Sequence, residues 1–321
     1  GSIVVIDPAT GAILAMVNLP TFDPNDRSGA SDATLRNRAV TDVFEPGSTQ
    51  KLVTIAAALE SGVVTPGTTF EIPEEIEILD TVFEDFTEHD AVLTVTEIVT
   101  HSSNLGTILI GDRLGARRLH DYMALFGEGT ATGIDFPGEA PGVLRAPEDW
   151  CITTCVAGTS IGYRVSVTAL QMAMVYATVA NDGVWVQPHF VAEIVDGAGG
   201  RVAFEPEQRQ VLSASTAAQL RAMLEAVVEL GTGTQAAVSG YRVGGKTGTT
   251  EKYLEAEGVY STDEVVASFI GMAPIDDPRV VVAVVLDSPQ HDATGGSGAA
   301  PVFSAVTLAA LNQLGVMPDG R

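Results

Sequence analysis

Apolar residues form strand-like runs near both ends of this chain and recur at helical spacing in the middle. Near the amino end, the β-rich runs 2–6 and 12–17 are separated by the turn sequence 8–11, which predicts a hairpin. Close to the carboxyl end, three further runs are typical of strands: 242–250, 265–273 and 279–286. The last run is wholly apolar from its second residue onward, as expected for a central strand buried on both faces.

The intervening region predicts mostly helices. Apolar residues recur at helical spacing from 51 to 60, and Gly62 ends that pattern. The same spacing predicts further helices at 93–100, 104–114, 116–126, 167–181, 214–230 and 299–314. The polar segment 19–47 predicts a long loop, and the acidic stretch 73–90 predicts a solvated loop.

This order of elements predicts an α+β fold. Two strands, a mostly helical middle, three strands and a final helix pack most simply as one five-stranded antiparallel sheet flanked by helices. A sheet lobe would come from 1–20 and 240–321, and a mostly helical lobe from about 40–235. We expect a functional site in the cleft between the two lobes.

Charge and composition exclude several classes of function. The chain has 321 residues, with 17 basic against 41 acidic side chains, a formal net charge of -24. So acidic a surface repels phosphate, and the longest basic cluster is Arg117-Arg118, so we expect no nucleic-acid partner. The five histidines lack metal-ligand spacing, so we expect neither a metal nor a cofactor. No apolar run reaches the roughly 18 residues that cross a bilayer.

The cysteines and the amino end say little about the fold. Cys151 and Cys155 supply no disulfide framework, and the pair fits either a local bridge or two buried thiols. The sequence begins with Gly1 rather than Met, which suggests an excised or processed fragment.

Lysine is rare in this sequence, which draws attention to the lysines that are present. There are three of them, against fourteen arginines, and only lysine can become a neutral amine when buried. In the motif Ser48-Thr49-Gln50-Lys51, which follows Pro46-Gly47, we expect Ser48 at a helix start with Lys51 one turn along the same face. A desolvated amine there would remove the serine proton and create a nucleophile. Taken alone, the motif also fits an N-capping serine beside a solvated lysine.

A second motif, Ser102-Ser103-Asn104, lies at the break between two predicted helices. Ser102 could relay a proton there, and the Asn104 side chain could both donate to and accept from a substrate amide. On its own, this tripeptide is more often a helix cap.

A third motif, Lys246-Thr247-Gly248-Thr249, is framed by Gly244-Gly245 on a predicted strand. Glycines weaken a strand unless something must come close to its backbone. An extended ligand could lie alongside, with its carboxylate meeting the lysine and the threonine hydroxyls. The simpler interpretation is a glycine-rich edge hairpin.

Together, the three motifs resemble the signature of penicillin-binding proteins, in the same order and in the expected local settings. The similarity to class B penicillin-binding proteins extends to the segments 7–16, 36–40, 44–48, 180–183, 265–271 and 300–303. It covers nearly the whole chain, and therefore implies one transpeptidase domain over 1–321 with the penicillin-binding/β-lactamase-like fold. The segment 286–290 and the carboxyl end resemble the division-specific, FtsI-like group.

The resemblance implies a role for each motif residue. Ser48 would attack the carbonyl between the terminal D-alanines of a peptidoglycan stem peptide, and Lys51 would take its proton. Ser102 would pass a proton to the departing D-alanine, and Asn104 would hold the peptide amide. Backbone N–H groups of Ser48 and Thr249 would form the oxyanion hole. The terminal carboxylate would be bound by the third motif: Lys246, Thr247, Gly248 and Thr249. β-Lactams would acylate the same serine.

The resemblance also implies a setting for the protein. Its partners would be peptidoglycan stem peptides, β-lactams and, in the full-length protein, a divisome glycosyltransferase. It would act on the extracytoplasmic face of the bacterial cytoplasmic membrane, anchored by an N-terminal helix absent from this fragment.

Three departures from relatives matter, and several other functions stay open. The second motif is S-S-N rather than S-D-N, no E-x-x-L-N loop occurs, and 161–164 has I-G-Y-R where relatives often have I-G-Q-G. The S-S-N motif argues against a class A β-lactamase, and the missing loop argues against fast β-lactam hydrolysis. The I-G-Y-R segment leaves local substrate contacts open. The alternatives are a β-lactam sensor or weak β-lactamase, a D,D-carboxypeptidase, and a non-catalytic penicillin-binding scaffold.

Overall fold

The structure is a computed structural model that describes residues 1–79, 81–150, 154–254, 258–291 and 294–319. Up to residue 126 its elements are β1 (Ser2–Ile6), β2 (Ile13–Asn18), α1 (Asp32–Leu35), α2 (Arg38–Thr41), β3 (Val43–Phe44), α3 (Lys51–Glu60), β4 (Thr69–Glu71), β5 (Ile76–Ile78), β6 (Thr81–Phe83), β7 (Val92–Thr94), α4 (Val95–His101), α5 (Asn104–Leu114) and α6 (Ala116–Phe126). The remaining elements are α7 (Thr154–Ser160), β8 (Val167–Thr168), α8 (Ala169–Ala180), β9 (Val184–Val186), β10 (Glu193–Val195), β11 (Arg201–Ala203), β12 (Gln208–Gln210), α9 (Ala214–Leu230), β13 (Gly244–Leu254), β14 (Val259–Ala273), β15 (Val280–Asp287) and α10 (Ala300–Gln313). Short 3₁₀ turns cover Gly47–Gln50, Pro147–Asp149 and Thr234–Ala236, and a π-helical turn covers Gly295–Ala299.

Five strands form one sheet in the order β13-β14-β15-β1-β2, with every neighbouring pair antiparallel. This confirms the predicted sheet, in which the first two strands join the last three. β13 lies at the edge of the sheet, so every second peptide group along it faces away from β14.

β15 is the buried central strand that its apolar run predicts. Its residues 280–285 are all buried, and their side chains alternate between the two faces of the sheet. On one face they join a core cluster with the helical middle of the chain, where α8 packs on β1, β14 and β15. On the other face they pack with Phe269 and Phe303 beneath α10.

The helical predictions are confirmed closely where the pattern is strong. The bounds 104–114, 116–126 and 214–230 match α5, α6 and α9, whereas α4 and α8 differ from their predicted ends by one or two residues. α3 is buried from Lys51 to Leu59, because α4, α5, α6 and α9 all contact it. α7 was missed, since its small and polar residues carry little apolar periodicity.

Two loop predictions need correction. The segment 19–47 contains α1, α2 and β3 as well as loop, since Ala39 and Val40 are buried and hold that segment against the core. The stretch 73–90 contains β5 and β6, and its Asp85 side chain is only 8% exposed. The question of a Cys151–Cys155 bridge lies outside the described residues.

Other predictions stay predictions. One core cluster runs from the sheet into the helical region, and the division into two lobes of one domain remains an interpretation. Among the described residues, no helix combines the length and apolar composition needed to span a bilayer. Within the same residues, no group of three or more His, Cys, Asp or Glu side chains is placed to hold a metal ion.

Candidate active site

Ser48 lies in the 3₁₀ turn Gly47–Gln50, which runs directly into α3. The turn is held on several sides: the Gly47 N–H donates to Gly162 O (3.1 Å), the Thr49 hydroxyl donates to Pro46 O (2.8 Å), and the Tyr176 hydroxyl donates to Thr49 O (3.1 Å). Ser48 is half-buried, whereas Thr49 is fully buried. The turn is therefore held in place by three hydrogen bonds, directly before α3.

Lys51 is buried one turn further along, and its amine reaches the second motif. Lys51 Nζ donates to Ser102 O (2.5 Å), Ser102 Oγ (3.3 Å) and Asn104 Oδ1 (2.7 Å). Burial lowers the pKa of Lys51 to about 7, against the opposing pull of the Asp85 charge. Close to half of the amine is therefore neutral at pH 7. Within the part of the chain that the structure describes, no hydrogen bond joins the Ser48 hydroxyl to the Lys51 amine.

Ser102 is the meeting point of all three motifs. It ends α4 in the left-handed conformation, with φ 60°, which is uncommon for a residue with a side chain and recurs at functional sites. Lys246 Nζ donates to Ser102 Oγ (2.7 Å), so this hydroxyl lies between two lysine amines. Burial, with help from the Lys51 charge, holds the pKa of Lys246 well below its usual value. Two buried amines and one hydroxyl can pass a proton between them.

Asp85 holds the second motif in place, and sequence reasoning missed it. One carboxylate oxygen accepts from Ser103 Oγ (2.7 Å) and pairs with His89 Nε2 (2.7 Å). The other accepts the backbone N–H groups of Asn104 and Leu105 at the start of α5. Free N–H groups at a helix start favour a carboxylate. Asp85 is separated from this helix by 18 residues, so no local pattern could have revealed the contact.

The Asn104 side chain is hydrogen bonded at both ends. Its Oδ1 accepts from Lys51, and its Nδ2 donates to Glu84 O (2.9 Å). A substrate amide would therefore have to replace one of these bonds or share the Oδ1 acceptor.

The third motif lies on the edge strand β13, against the nucleophile turn. A Cβ on Gly248 would lie 2.4 Å from Ser268 Oγ and 3.0 Å from Thr49 Cγ2, so glycine is what allows this close approach. The Thr249 side chain is exposed, and its hydroxyl accepts from Gly295 N (2.9 Å). Thr247 is largely buried, with its hydroxyl 2.7 Å from that of Thr232.

The segment 161–164 forms an aromatic wall beside the nucleophile turn. Gly162 contacts Gly47, and the next residue, Tyr163, packs edge-on against Tyr260 at 5.5 Å between ring centroids. Glu45 Oε1 accepts the Arg164 N–H (2.7 Å) and the Tyr260 hydroxyl (3.3 Å).

A cavity of about 660 Å³ opens next to Glu45, but no residue of the three motifs lines it. The cluster of motif residues is therefore distinct from that cavity.

The arrangement brings a serine, two lysines of lowered pKa, a second serine and an asparagine into one cluster. Hydrogen bonds join Lys51, Ser102, Asn104 and Lys246 directly. Ser48 joins them through its turn, which packs on β13. Such a set can perform acyl transfer through a serine ester, since it offers a nucleophile, a neutral amine base and a proton relay.

Family and sequence comparisons agree on one group. The model of the penicillin-binding protein transpeptidase domain matches residues 1–308. The chain is 40% identical over 314 residues to penicillin-binding protein PbpB of Mycolicibacterium smegmatis, covering 94% of this chain and 48% of the relative. It is 39% identical to a probable peptidoglycan D,D-transpeptidase PenA of Neisseria flavescens, covering 99% of this chain and 76% of that protein. The chain thus spans about half the length of the PbpB relatives that it matches.

Solved structures show the same architecture. Penicillin-binding protein 3 of Mycobacterium tuberculosis, complexed with aztreonam, superposes with a TM-score of 0.92 at 37% identity, covering 99% of this chain and 73% of that one. The transpeptidase domain of penicillin-binding protein 3 from Burkholderia pseudomallei superposes with a TM-score of 0.86 at 36% identity, covering 100% and 90%. These likenesses confirm the predicted fold.

Proposed function

The chain belongs to the penicillin-binding protein transpeptidase family, and from that premise we propose that it is a serine D,D-transpeptidase that crosslinks peptidoglycan stem peptides. The observation that carries the proposal is the contact of both buried lysine amines with Ser102 Oγ, beside the turn that presents Ser48. One relative supports it by name, since PenA of Neisseria flavescens is described as a probable peptidoglycan D,D-transpeptidase.

Acylation begins with proton removal from Ser48. Neutral Lys51 takes the hydroxyl proton, and Ser48 Oγ attacks the carbonyl between the two terminal D-alanines. The C–N bond breaks, and a proton reaches the departing D-alanine amine through Ser102 Oγ, leaving an ester on Ser48. The lowered pKa of Lys51 supports this role, because an amine that is charged at working pH cannot accept a proton.

Substrate is held along β13 and on the second motif. The terminal carboxylate meets Lys246, Thr247, Gly248 and Thr249, and Asn104 bonds the peptide amide. Backbone N–H groups of Ser48 and Thr249 bind the oxyanion, an interaction worth about 3 kcal/mol per donor in comparable sites. The edge position of β13 supports this arrangement, since an extended peptide can add there as a further strand.

The second half of the reaction transfers the acyl group. An amine of a neighbouring stem peptide attacks the ester and gives a proton to Lys51, which returns it to Ser48 as the crosslinked peptide leaves. β-Lactams enter at the first step, because their strained amide takes the place of the D-alanyl peptide bond and the ester persists.

The wider setting is part of the proposal. Residues 1–321 make up a single transpeptidase domain that acts on extracytoplasmic peptidoglycan. The whole protein is anchored in the bacterial cytoplasmic membrane by an N-terminal helix outside these residues. It works with a divisome glycosyltransferase.

The intact mass of the protein after incubation with benzylpenicillin tests the acyl-serine. We expect a stable adduct of the drug's mass on the wild type and on Ser28→Ala, an exposed serine that serves as the matched control. Ser48→Ala should form none. An adduct on Ser48→Ala, or none on any folded variant with several β-lactams, would overturn the proposal.

A second assay separates transfer from hydrolysis. A stem-pentapeptide donor and an acceptor amine are incubated with the protein, and the products are resolved by mass. A crosslinked product supports the transpeptidase, whereas release of D-alanine without crosslinking would make the protein a D,D-carboxypeptidase.

A further inference from the structure

Gln50 and Glu128 form a buried polar pair next to the nucleophile, and the proposed mechanism does not use it. Gln50 lies between Ser48 and Lys51 in the sequence and is completely buried, and Glu128, just beyond α6, is 2% exposed. Gln50 Nε2 donates to Glu128 Oε2 at 3.1 Å. A carboxyl group this deep in the core needs an explanation, since an ionised carboxylate is costly to bury without a cation.

One oxygen of each side chain in the pair lacks a hydrogen bond. Gln50 Oε1 and Glu128 Oε1 are both buried, and among the described residues neither has a partner. An ionised Glu128 has no proton to donate, so both oxygens would stay unsatisfied. A protonated Glu128 has one O–H to donate. Gln50, which already donates to Glu128, has an acceptor without a partner in its Oε1 atom.

We propose that Glu128 is a neutral carboxylic acid that closes a cyclic acid–amide pair with Gln50 and so positions the turn that carries Ser48 and Lys51. In the ring, Gln50 Nε2 donates to Glu128 Oε2, and Glu128 Oε1 donates its proton to Gln50 Oε1. Each side chain is then both donor and acceptor. Glu128 is then a positioning residue, because it contacts Gln50 in the turn that carries Ser48 and does not contact the substrate.

The electrostatics around Glu128 favour the neutral form. Burial raises the pKa of Glu128 to about 8, and the Gln50 hydrogen bond acts in the opposite direction. Nearby charged and titratable groups lie in these settings: Lys51 on α3 donates to Ser102, Arg113 on α5 lies over the Phe70 ring, and Tyr176 on α8 donates to Thr49 O. Arg209 on β12 lies over the Trp185 ring and donates to Leu125 O, and His120 on α6 lies 3.6 Å from Asp121, with no hydrogen bond to its Nδ1 among the described residues.

The pair gives the site a dependence on alkaline pH. Loss of the Glu128 proton would leave two oxygens facing each other without a hydrogen between them, and would add a buried charge behind the nucleophile turn. We expect acylation of Ser48 to fall as the pH rises through the Glu128 pKa. This readout rests on the proposed function, so the state of Glu128 also needs a measurement that involves no β-lactam.

The kinetic test is the acylation rate of a fluorescent β-lactam between pH 6 and 10. Glu128→Gln keeps the shape and can keep both hydrogen bonds without a titrating group, so it should lose the alkaline fall while its plateau stays within about twofold of the wild type. Glu128→Leu leaves Gln50 without a partner and should acylate about tenfold more slowly at every pH. An unchanged alkaline fall in Glu128→Gln would overturn the proposal.

The direct test is infrared spectroscopy of the protein without ligand. The wild type at pH 7 should show the C=O stretch of a protonated carboxylic acid that is absent from Glu128→Gln and disappears on raising the pH. Absence of that band from folded wild-type protein would show that Glu128 is ionised and would overturn the proposal. Failure of every variant to form an adduct would instead overturn the serine transpeptidase, and the band would still decide the state of Glu128.

Discussion

The fall of the acylation rate at acid pH, here called the acid limb, should report the protonation of Lys51. Its pKa of about 7 means that the neutral fraction is about one in eleven at pH 6 and about one in a hundred at pH 5. If Lys51 is the base, the acylation rate should therefore fall about tenfold between pH 6 and pH 5 and level off above pH 7. The rate constant is measured by stopped-flow fluorescence with a β-lactam. The Glu128→Gln variant is used, because it should lack the fall of the rate at alkaline pH.

Asp85 supplies the matched perturbation, because its negative charge raises the Lys51 pKa. In Asp85→Asn the ammonium loses that support, so the acid limb should move to lower pH. Asp90→Asn is the control, since it removes the same charge from an exposed position in the same loop. The plateau rate is compared separately, because Asp85 also binds the start of α5.

Two results would refute this reasoning. A rate that stays flat from pH 5 to pH 7 would show that Lys51 is not the proton acceptor. A limb that shifts equally in Asp85→Asn and Asp90→Asn would show that the shift reflects net charge and not the local contact. Circular dichroism at each pH establishes that the protein is folded.

Three further predictions follow from contacts in the site. Gly248→Ala should slow acylation at least about tenfold, because its Cβ would lie 2.4 Å from a buried serine hydroxyl, whereas Gly67→Ala, which meets nothing within 4 Å, should not. Tyr176→Phe leaves the buried Thr49 carbonyl without its donor and should lower the free energy of unfolding by about 1–3 kcal/mol in urea titrations; a loss no larger than in a Tyr122→Phe control would contradict this. Folded Lys51 is neutral above pH 7 while the unfolded chain stays charged until about pH 10.4, so its contribution to the free energy of unfolding should rise by about 1.4 kcal/mol per pH unit between them. The free energy of unfolding of the wild type minus that of Lys51→Met should therefore become more positive from pH 7.5 to pH 9; an unchanged value would mean that the Lys51 pKa is not lowered.

Much of the architecture could be predicted because its causes are local. The helical spacing in 104–114 and the apolar run in β15 arise from residues that share one face or one strand, so the sequence carries the pattern directly. The motif residues were found for the same reason: Ser48 and Lys51 are one helical turn apart, and 246–249 form one continuous strand. Where the local pattern was weak, as in α7 and in 19–47, the prediction failed.

The support of the site could not be predicted, because its contacts join distant parts of the chain. Asp85 reaches α5 from an acidic loop whose composition predicts only solvation. Tyr176 and Thr49 are 127 residues apart, and Gln50 and Glu128 are 78 residues apart. The sequence around each residue does not indicate which distant residue it contacts.

The sequence alone therefore determined the five strands of the sheet, the longer helices and the three motifs. Only the tertiary structure decided which buried groups surround them. Burial depends on the whole packed core, and the removal of water is what lowers the lysine pKa values and raises that of Glu128.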